Sequence, residues 1–283
     1  MDQIKLQAFG KINIALDVTG KRPDGYHEVK MILKSVQTHD DVVLRKQESG
    51  ITLKTNKPFL PTDERNLAYK AAALIMERYG IAEGVRIDIG KNIPIAAGMA
   101  GGSTDGAACI RGMNELFGLN MDIAEMDEIA VKLGADVPFC LRGGTYLAEG
   151  IGEKLTEIES FPACYALMIN PGFGISTKWA YEQVDLHPEI PHPDVDGCVR
   201  AIRNGNLHEL SSFMGNVLEE VAKNDYPQIQ EIEDRLMGSG AIAAMMSGSG
   251  PTVFGIFDNE DCLERSLLGF GGDRYGKFKS QLR

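Results

Sequence analysis

The 283-residue chain has 29 basic and 40 acidic side chains, a formal net charge of −11, and 43% hydrophobic residues. Nucleic acids and anionic membranes attract basic proteins, so this balance argues against either as a partner. Small anionic ligands stay possible, because backbone amides and a few lysines can bind them.

Nothing in the sequence predicts export or insertion into a membrane. No apolar run approaches the ~18 residues that span a bilayer, and the N-terminal "MDQIKLQAFG" lacks the basic head and apolar core of a signal peptide. The five cysteines are scattered and form no C-x-x-C pair. We therefore expect a cytoplasmic protein with free thiols and no zinc site.

The first half of the chain alternates strand patterns with helix patterns. In 11–18, alternate aliphatic residues predict a strand that places Lys11 and Asn13 together on the face opposite the aliphatic row. Asp122 is a candidate N-cap for a helix that ends at Gly134. The other predicted elements are strands at 4–9, 42–45, 51–55 and 85–89, a helix over 63–79, and a helix that begins after Thr104.

The second half begins with a buried strand at 165–170, followed by a loop and a short helix over 171–184. Residues 242–257 predict a strand, a glycine turn and another strand. Helical patterns fill 194–204, 207–223 and 226–237. These elements predict an α+β protein with two lobes, 1–155 and 156–283.

The stretch "PIAAGMAGGSTDGAA", residues 94–108, is typical of a phosphate-binding loop. Its glycines let the backbone approach an oxygen closely, and a helix N-terminus offers unpaired amides with about +0.5 charge. Each charge-assisted hydrogen bond contributes roughly 1.5–3 kcal/mol. The loop has no lysine, so Lys91 is a candidate for the missing cation. The alternative is a flexible loop with a helix cap.

Three further patterns each allow an ordinary structural explanation. "PDGYH" places Tyr26 and His27 after a turn, where the pair could contact a base or simply pack and face solvent. Asp136 in "GADVPF" could be a turn former. "GSGAIA" (238–243) fits G-x-G-x-x-A but follows a helix, so a dinucleotide site there is disfavoured.

Three motifs occur in one order: "KINIALDVTGKRPDGYHEV", "PIAAGMAGGSTDGAA" and "SGSGPTVFG". This set resembles the GHMP kinase superfamily, which includes galactokinase, homoserine kinase and mevalonate kinase, and the resemblance covers essentially the whole chain. "GKRPDGYH" is similar to the branch acting on a cytidine-diphosphate derivative of methylerythritol. The resemblance implies ATP-dependent phosphorylation of the 2-hydroxyl of 4-diphosphocytidyl-2-C-methyl-D-erythritol, in the non-mevalonate route to isoprenoids.

The resemblance also implies a two-lobed fold with ATP and substrate in the cleft between an N-terminal ATP-binding lobe and a C-terminal lobe. Lys11 and Asp136 would be the catalytic pair: Asp136 would take or orient the proton of the substrate hydroxyl, and Lys11 would keep Asp136 ionised. The implied ATP-binding residues are Asn66, Leu67, Lys91, Pro94, Ile95, Ala96, Ala97, Gly98, Met99, Ala100, Gly101, Gly102, Ser103 and Thr104. The implied substrate-binding residues are Asn13, Tyr26, His27, Thr177, Tyr181, Gly248 and Ser249.

Mg²⁺ is the expected second cofactor, and Ser103 is the one candidate ligand that the motif offers. Ala100 stands where the family usually has glycine, and Thr104 where serine is commoner; a positive φ at Ala100 would strain its methyl group. A monomer or a homodimer is expected. The alternatives are another member of the superfamily acting on homoserine, mevalonate or a sugar, a non-catalytic ligand-binding relative, and a dinucleotide-dependent oxidoreductase.

Overall fold

The computed structural model describes residues 2–272 and 274–282, and this part of the chain contains ten strands and ten helices. It divides into two compact units that interleave along the sequence. The first unit comprises residues 2–10, 38–93 and 100–143, and the second comprises 11–37, 94–99 and the described residues from 144 onward. Helices and strands occur in both units, so the α+β class is confirmed.

Two long strands explain why the compact units do not follow a single cut near residue 155. β1 (Gln3–Lys21) and β2 (His27–Gln47) pair with each other, and each begins in one unit and ends in the other. The sequence predicted two strands where β1 is continuous, because Gly10 reads as a break; in the structure Gly10 is buried within the strand. Which stretches serve ATP and which serve the substrate stays a prediction.

The first unit packs helices against a small sheet. In this sheet β3 is parallel to β4, and β4 is antiparallel to residues 41–47 of β2. Gly112 allows close packing, since a Cβ atom there would lie 2.9 Å from Leu6 and 3.0 Å from Leu44 side-chain carbons. The elements are β3 (Ile51–Thr55), α1 (Leu67–Tyr79), β4 (Gly84–Gly90), α2 (Gly101–Leu116), α3 (Ile123–Leu133) and α4 (Val137–Arg142).

Side-chain caps set the starts of α1 and α3. Asp122 accepts from the Glu125 amide while the Glu125 side chain accepts from Asp122, so the predicted start of α3 is confirmed. α1 begins four residues later than predicted, because Asn66 caps it and residues 63–66 form the preceding turn. The short helix α4 was not predicted, since six residues are too few to show a helical period.

The second unit contains an antiparallel sheet in the order β10-β7-β9-β8, and the glycine turn between β8 and β9 is confirmed. Residues 29–34 of β2 pair with β5, which pairs with β6. The strands are β5 (Thr145–Gly150), β6 (Lys154–Glu157), β7 (Cys164–Asn170), β8 (Ala243–Met246), β9 (Val253–Phe257) and β10 (Gly276–Leu282). The helices are α5 (Thr177–Leu186), α6 (Val195–Arg203), α7 (Leu207–Phe213), α8 (Val217–Asp225), α9 (Gln228–Gly238) and α10 (Glu260–Gly269).

The helix predicted over 207–223 is two helices, α7 and α8. Asn216 separates them: its Oδ1 caps α8 through the Leu218 amide, and its Nδ2 donates to the carbonyls of Met246 and Gly248. The buried Asn216 therefore separates the two helices and holds the glycine turn between β8 and β9 in place. Within residues 2–272 and 274–282, no helix is both long and apolar enough to cross a bilayer.

Candidate active site

The glycine-rich loop holds three residues in the left-handed region: Ala96 (φ 52°), Gly98 (φ 73°) and Ala100 (φ 57°). At Gly98 only glycine fits, because a Cβ atom would lie 1.9 Å from the Ser247 carbonyl oxygen. Left-handed backbone costs an L-residue about 1–2 kcal/mol. The methyl group at Ala100 is therefore strained, and such strain often occurs at functional sites.

The loop leads directly into α2, whose first turn lacks a side-chain cap. Ala100 is the N-cap residue, and no side chain in the described part of the chain supplies the capping hydrogen bond. The amides of Gly101, Gly102 and Ser103 consequently have no acceptor within the helix. Gly102 is exposed and Ser103 is half-buried. This helix end can bind an anion through backbone amides.

Thr104 fastens α2 to β1 within the first unit. Its buried hydroxyl donates to the Phe9 carbonyl at 2.6 Å, and its amide donates to the Ala100 carbonyl at 2.9 Å. A hydrogen bond from this hydroxyl to phosphate would require breaking the bond to Phe9. Of the two hydroxyls in the motif, that of Ser103 is therefore better placed than that of Thr104 to contact phosphate.

Lys91 lies in a buried ion-pair cluster at the start of α2. Its ammonium binds Asp40, Asp105 Oδ2 at 2.7 Å and the Gly101 carbonyl at 3.0 Å. Burial raises the pKa of Asp105 to about 7, although the charge of Lys91 opposes that shift. Lys91 thus holds the first turn of α2 in place, and a direct contact with phosphate would require separating these ion pairs.

Lys11 and Asn13 lie together on one face of β1, as the alternating pattern predicted. Lys11 Nζ donates to Asn13 Oδ1 at 2.6 Å and to the Gly98 carbonyl at 2.9 Å. Both side chains are buried. A Cβ atom at Gly248 would lie 3.1 Å from Lys11 Nζ, and the Ser247 hydroxyl donates to the same Gly98 carbonyl. The second unit thus brings together the Lys11 ammonium, the Asn13 side-chain amide, residues 94–99 of the glycine-rich loop and the glycine turn between β8 and β9.

The predicted base-binding residues His27 and Tyr181 are in contact. Their rings stack with centroids 4.8 Å apart at an angle of 27°, and His27 Nε2 is 2.8 Å from Asp185 Oδ1. Tyr26 beside them is 61% exposed. A cavity of about 260 Å³ borders His27 and Asp185. In the same unit, the hydroxyls of Thr177 and Ser249 are 2.8 Å apart.

Asn66, Leu67 and Asp136 are three further predicted residues of the first unit. Asn66 uses its side chain to cap α1 and to donate to the Pro61 carbonyl. A Cβ atom added at Gly106 would lie 3.2 Å from the Leu67 side chain, so the start of α1 packs against α2. Asp136 is the N-cap residue of α4, yet its half-buried carboxylate makes no capping hydrogen bond in the described residues. An aspartate at this position usually caps the helix. Because Asp136 makes no cap bond within the described part of the chain, its carboxylate is available to contact a ligand.

Sequence reasoning missed several residues that support these groups. Asp40 and Asp105 pair with Lys91, and Asp105 lies inside the quoted glycine motif, where its charge is the available signal. Asn216 and Asp185 carry no local pattern that would reveal their distant partners. No cluster of three or more His, Cys, Asp or Glu within residues 2–272 and 274–282 is arranged to hold a metal ion.

Two family models and curated relatives match this chain. The model for the GHMP kinases N terminal domain matches residues 66–144, and that for GHMP kinases C terminal matches 198–265. The 4-diphosphocytidyl-2-C-methyl-D-erythritol kinase of Lachnoclostridium phytofermentans is 47% identical over 278 residues, covering 98% of this chain and 96% of that protein. The enzyme of the same name from Acetivibrio thermocellus is 52% identical over 260 residues, covering 92% of each chain.

Solved structures show the same fold. A crystal structure of 4-(cytidine 5'-diphospho)-2C-methyl-D-erythritol kinase superposes with a TM-score of 0.85 at 30% identity, covering 99% of both chains. Homoserine kinase from Cytophaga hutchinsonii superposes with a TM-score of 0.78 at 20% identity, covering 100% of this chain and 95% of that one, which shows the fold alone. The chain therefore belongs to the GHMP kinases and, within them, to the 4-diphosphocytidyl-2-C-methyl-D-erythritol kinase family.

Proposed function

We propose that this protein transfers the γ-phosphoryl group of ATP to the 2-hydroxyl of 4-diphosphocytidyl-2-C-methyl-D-erythritol, giving the 2-phosphate and ADP. Relatives of that name match the chain nearly end to end. The observation that carries the proposal is the bond from Lys11 Nζ to the Gly98 carbonyl, which joins the catalytic lysine to the glycine-rich loop. The reaction belongs to the non-mevalonate route to isoprenoid precursors.

The glycine-rich loop, residues 94–104, binds the phosphates of ATP in this proposal. The uncapped amides of Gly101, Gly102 and Ser103 fit an anion, and the left-handed backbone at Gly98 lets the loop turn against Ser247. Asn66 and Leu67 lie near the adenine. Mg²⁺, coordinated mainly by phosphate oxygens with Ser103 as the candidate protein ligand, would neutralise part of the phosphate charge.

Lys11 and Asp136 carry the chemistry. Phosphoryl transfer passes through a loose transition state, so positioning and charge neutralisation provide most of the catalysis. Asp136 accepts or orients the proton of the tertiary hydroxyl, and its carboxylate is free of any role as a helix cap. Lys11 supplies positive charge beside the loop, where a phosphate-loop lysine would otherwise stand.

The substrate is held by residues of the second unit. Asn13, next to Lys11, fixes the methylerythritol, and Thr177 with Gly248 and Ser249 contacts the substrate side. His27 reads the cytosine edge, with Tyr26 and Tyr181 against the ring. The exposure of Tyr26 leaves it able to fold over a base, while Tyr181 already stacks on His27.

In this proposal the protein acts in the cytoplasm, as a monomer or homodimer with no nucleic-acid partner. Four of the five cysteines are buried. Burial raises the pKa of Cys109, Cys164 and Cys198 to about 12, which keeps them as thiols. An acidic net charge of −11 supports the absence of a polyanionic partner.

The substrate assignment is tested by ADP release with three acceptors at equal concentration. We expect turnover with 4-diphosphocytidyl-2-C-methyl-D-erythritol and none above the ATP-only rate with homoserine or mevalonate. Turnover confined to homoserine or mevalonate would overturn the branch assignment. ATP and substrate binding without any turnover would favour the non-catalytic alternative.

A further inference from the structure

The candidate base-binding residues are tied to a carboxylate that the proposed function does not use. His27 begins β2 and bonds through Nε2 to Asp185 Oδ1 at 2.8 Å. The other oxygen of Asp185 lies 2.5 Å from Nζ of Lys21, the last residue of β1. Within the described residues, the bond to Asp185 is the hydrogen bond made by the His27 side chain.

One face of α5 holds the His27 ring from two directions. Thr177, Tyr181 and Asp185 are spaced four residues apart, so they follow one another along one side of the helix. Tyr181 stacks on the face of the imidazole, and Asp185 binds its edge. The His27 side chain is only 10% exposed. Rotating the ring would break both contacts.

The partner of Nε2 determines where the imidazole proton lies. The hydrogen bond from Lys21 lowers the pKa of Asp185, so this carboxylate is ionised at neutral pH. An ionised carboxylate can only accept hydrogen bonds, and Nε2 must therefore carry the proton. In a neutral imidazole the second nitrogen, Nδ1, is then an acceptor.

We propose that Asp185 is a positioning residue that selects the Nε2–H tautomer of His27, so that Nδ1 accepts a hydrogen bond from the exocyclic amine of cytosine. This inference rests on the proposed function. Uracil carries a carbonyl oxygen where cytosine carries the amine. That oxygen would face Nδ1, and two acceptors cannot form a hydrogen bond with each other. A site built for a donor rejects a ligand that lacks it. The Lys21–Asp185–His27 chain therefore selects cytidine over uridine substrates.

The first test is spectroscopic and needs no turnover. In protein labelled with ¹⁵N-histidine, long-range ¹H–¹⁵N correlations at about pH 8 distinguish protonated from unprotonated ring nitrogens. The chain has five histidines, and the His27 signals are those missing from His27→Gln. We expect a protonated Nε2 and an unprotonated Nδ1. An Nδ1–H form, or two protonated nitrogens, would overturn the proposal.

Asp185→Asn changes the partner without changing its size. An amide can donate as well as accept, so we expect the Nδ1–H form of His27 to become populated. The ratio of kcat/KM for the cytidine substrate to that for its uridine counterpart should fall about tenfold, mainly through KM. An unchanged ring spectrum and an unchanged ratio would show that Asp185 is only structural.

Glu182→Gln is the matched control, because Glu182 lies on the same helix in an exposed pair with Lys178. It should keep the wild-type spectrum and ratio, and circular dichroism checks that both variants fold. Cytidine diphosphate should shift the Nδ1 resonance while uridine diphosphate does not. If that response is present but no kinase turnover is found, the proposed function fails and the role of Asp185 stands.

Discussion

Several predicted side chains of the candidate site already make hydrogen bonds or ion pairs within the protein. Lys91 and Thr104 were expected to contact phosphate, yet each makes buried bonds that hold α2 in place. Lys11 bonds to the Gly98 carbonyl, and the Asp136 carboxylate makes no cap bond among the described residues. The motif therefore contains side chains that hold the loop and α2 in place, as well as the groups proposed to bind ligand.

Asp136→Asn tests the proton-accepting role. The amide keeps the shape of the side chain but removes its charge and basicity, so we expect kcat to fall by about 10²–10⁴. KM for ATP should change little, because the proposal gives Asp136 no phosphate contact. Asp261→Asn, an exposed aspartate of α10, is the control and should retain full activity. A kcat near the wild-type value in Asp136→Asn would remove this residue from catalysis.

Gly98→Ala tests the close packing of the loop. Its Cβ atom would lie 1.9 Å from the Ser247 carbonyl oxygen, whereas Gly118 has a similar φ of 62° and nothing within 4 Å. Gly118→Ala should lose about 1–2 kcal/mol from the left-handed backbone alone. Gly98→Ala should lose a further 1–3 kcal/mol, approximately, from overpacking.

Urea denaturation measures the free energy of unfolding of both glycine variants, and initial rates give KM for ATP. KM should rise in Gly98→Ala and stay at the wild-type value in Gly118→Ala. Equal losses of stability in the two variants, with KM unchanged in both, would contradict the packing of Gly98 against Ser247.

At the scale of elements, a buried charge cluster joins α8, α9 and β8. Lys223 lies 2.7 Å from carboxylate oxygens of both Glu219 and Glu233, and Glu219 also accepts from the Met246 amide. Burial, together with the charge of Glu219, raises the pKa of Glu233 to about 8. β8 leads into the glycine turn between β8 and β9, so this cluster helps to hold Gly248 in position.

Glu233→Gln should flatten the dependence of stability on pH. The folded state keeps a proton on Glu233 that the unfolded state loses above about pH 4.5, so stability falls as pH rises from there to about 8. The variant should remove up to about 1.4 kcal/mol per pH unit of that slope. Asp105, with a pKa of about 7, and Glu219, whose pKa burial also raises, contribute in the same direction, so part of the slope remains.

The measurement is urea denaturation at a series of pH values. Glu231→Gln provides the control, because Glu231 lies on the same helix but is exposed. It should leave the slope unchanged. A slope in Glu233→Gln identical to that of the wild type would show that Glu233 is ionised in both states.

The sequence predicted elements well where a pattern is local. The Asp122 cap and the two strands around the turn at 248–250 were identified because caps and glycine turns involve neighbours in the chain. α4, β5, β6, α10 and β10 were not predicted, since short or half-exposed elements show weak periodicity. The α7–α8 break depends on Asn216 bonding to residues thirty positions away, which no local pattern reveals.

The candidate site could be predicted in kind but not in detail. The shared face of Lys11 and Asn13 followed from a period of two, and their contact confirms it. The roles of Lys91 and Asp185 depend on partners distant in sequence, such as Asp40 and His27. Motifs therefore suggest the candidate residues, whereas burial and ion pairing, which depend on distant partners, determine which of their polar groups are already bonded.

At the scale of the whole molecule, the two compact units are interleaved rather than consecutive. The glycine-rich loop itself is divided, with 94–99 in the second unit and 100–104 in the first. Relatives named for one activity match 98% and 92% of the chain. The whole chain, rather than either half, is therefore the unit to which the proposed reaction belongs.

The proposed reaction transfers a phosphoryl group to a tertiary alcohol, and a proton-coupled ³¹P spectrum of the product distinguishes this acceptor from a secondary or primary alcohol. The carbon bearing the 2-hydroxyl of the methylerythritol has no hydrogen, so its phosphate ester shows no three-bond coupling to a proton. We predict that ATP and 4-diphosphocytidyl-2-C-methyl-D-erythritol yield ADP and one new phosphomonoester singlet. A doublet or triplet would place the phosphate on a secondary or primary alcohol and would rule out transfer to the 2-hydroxyl.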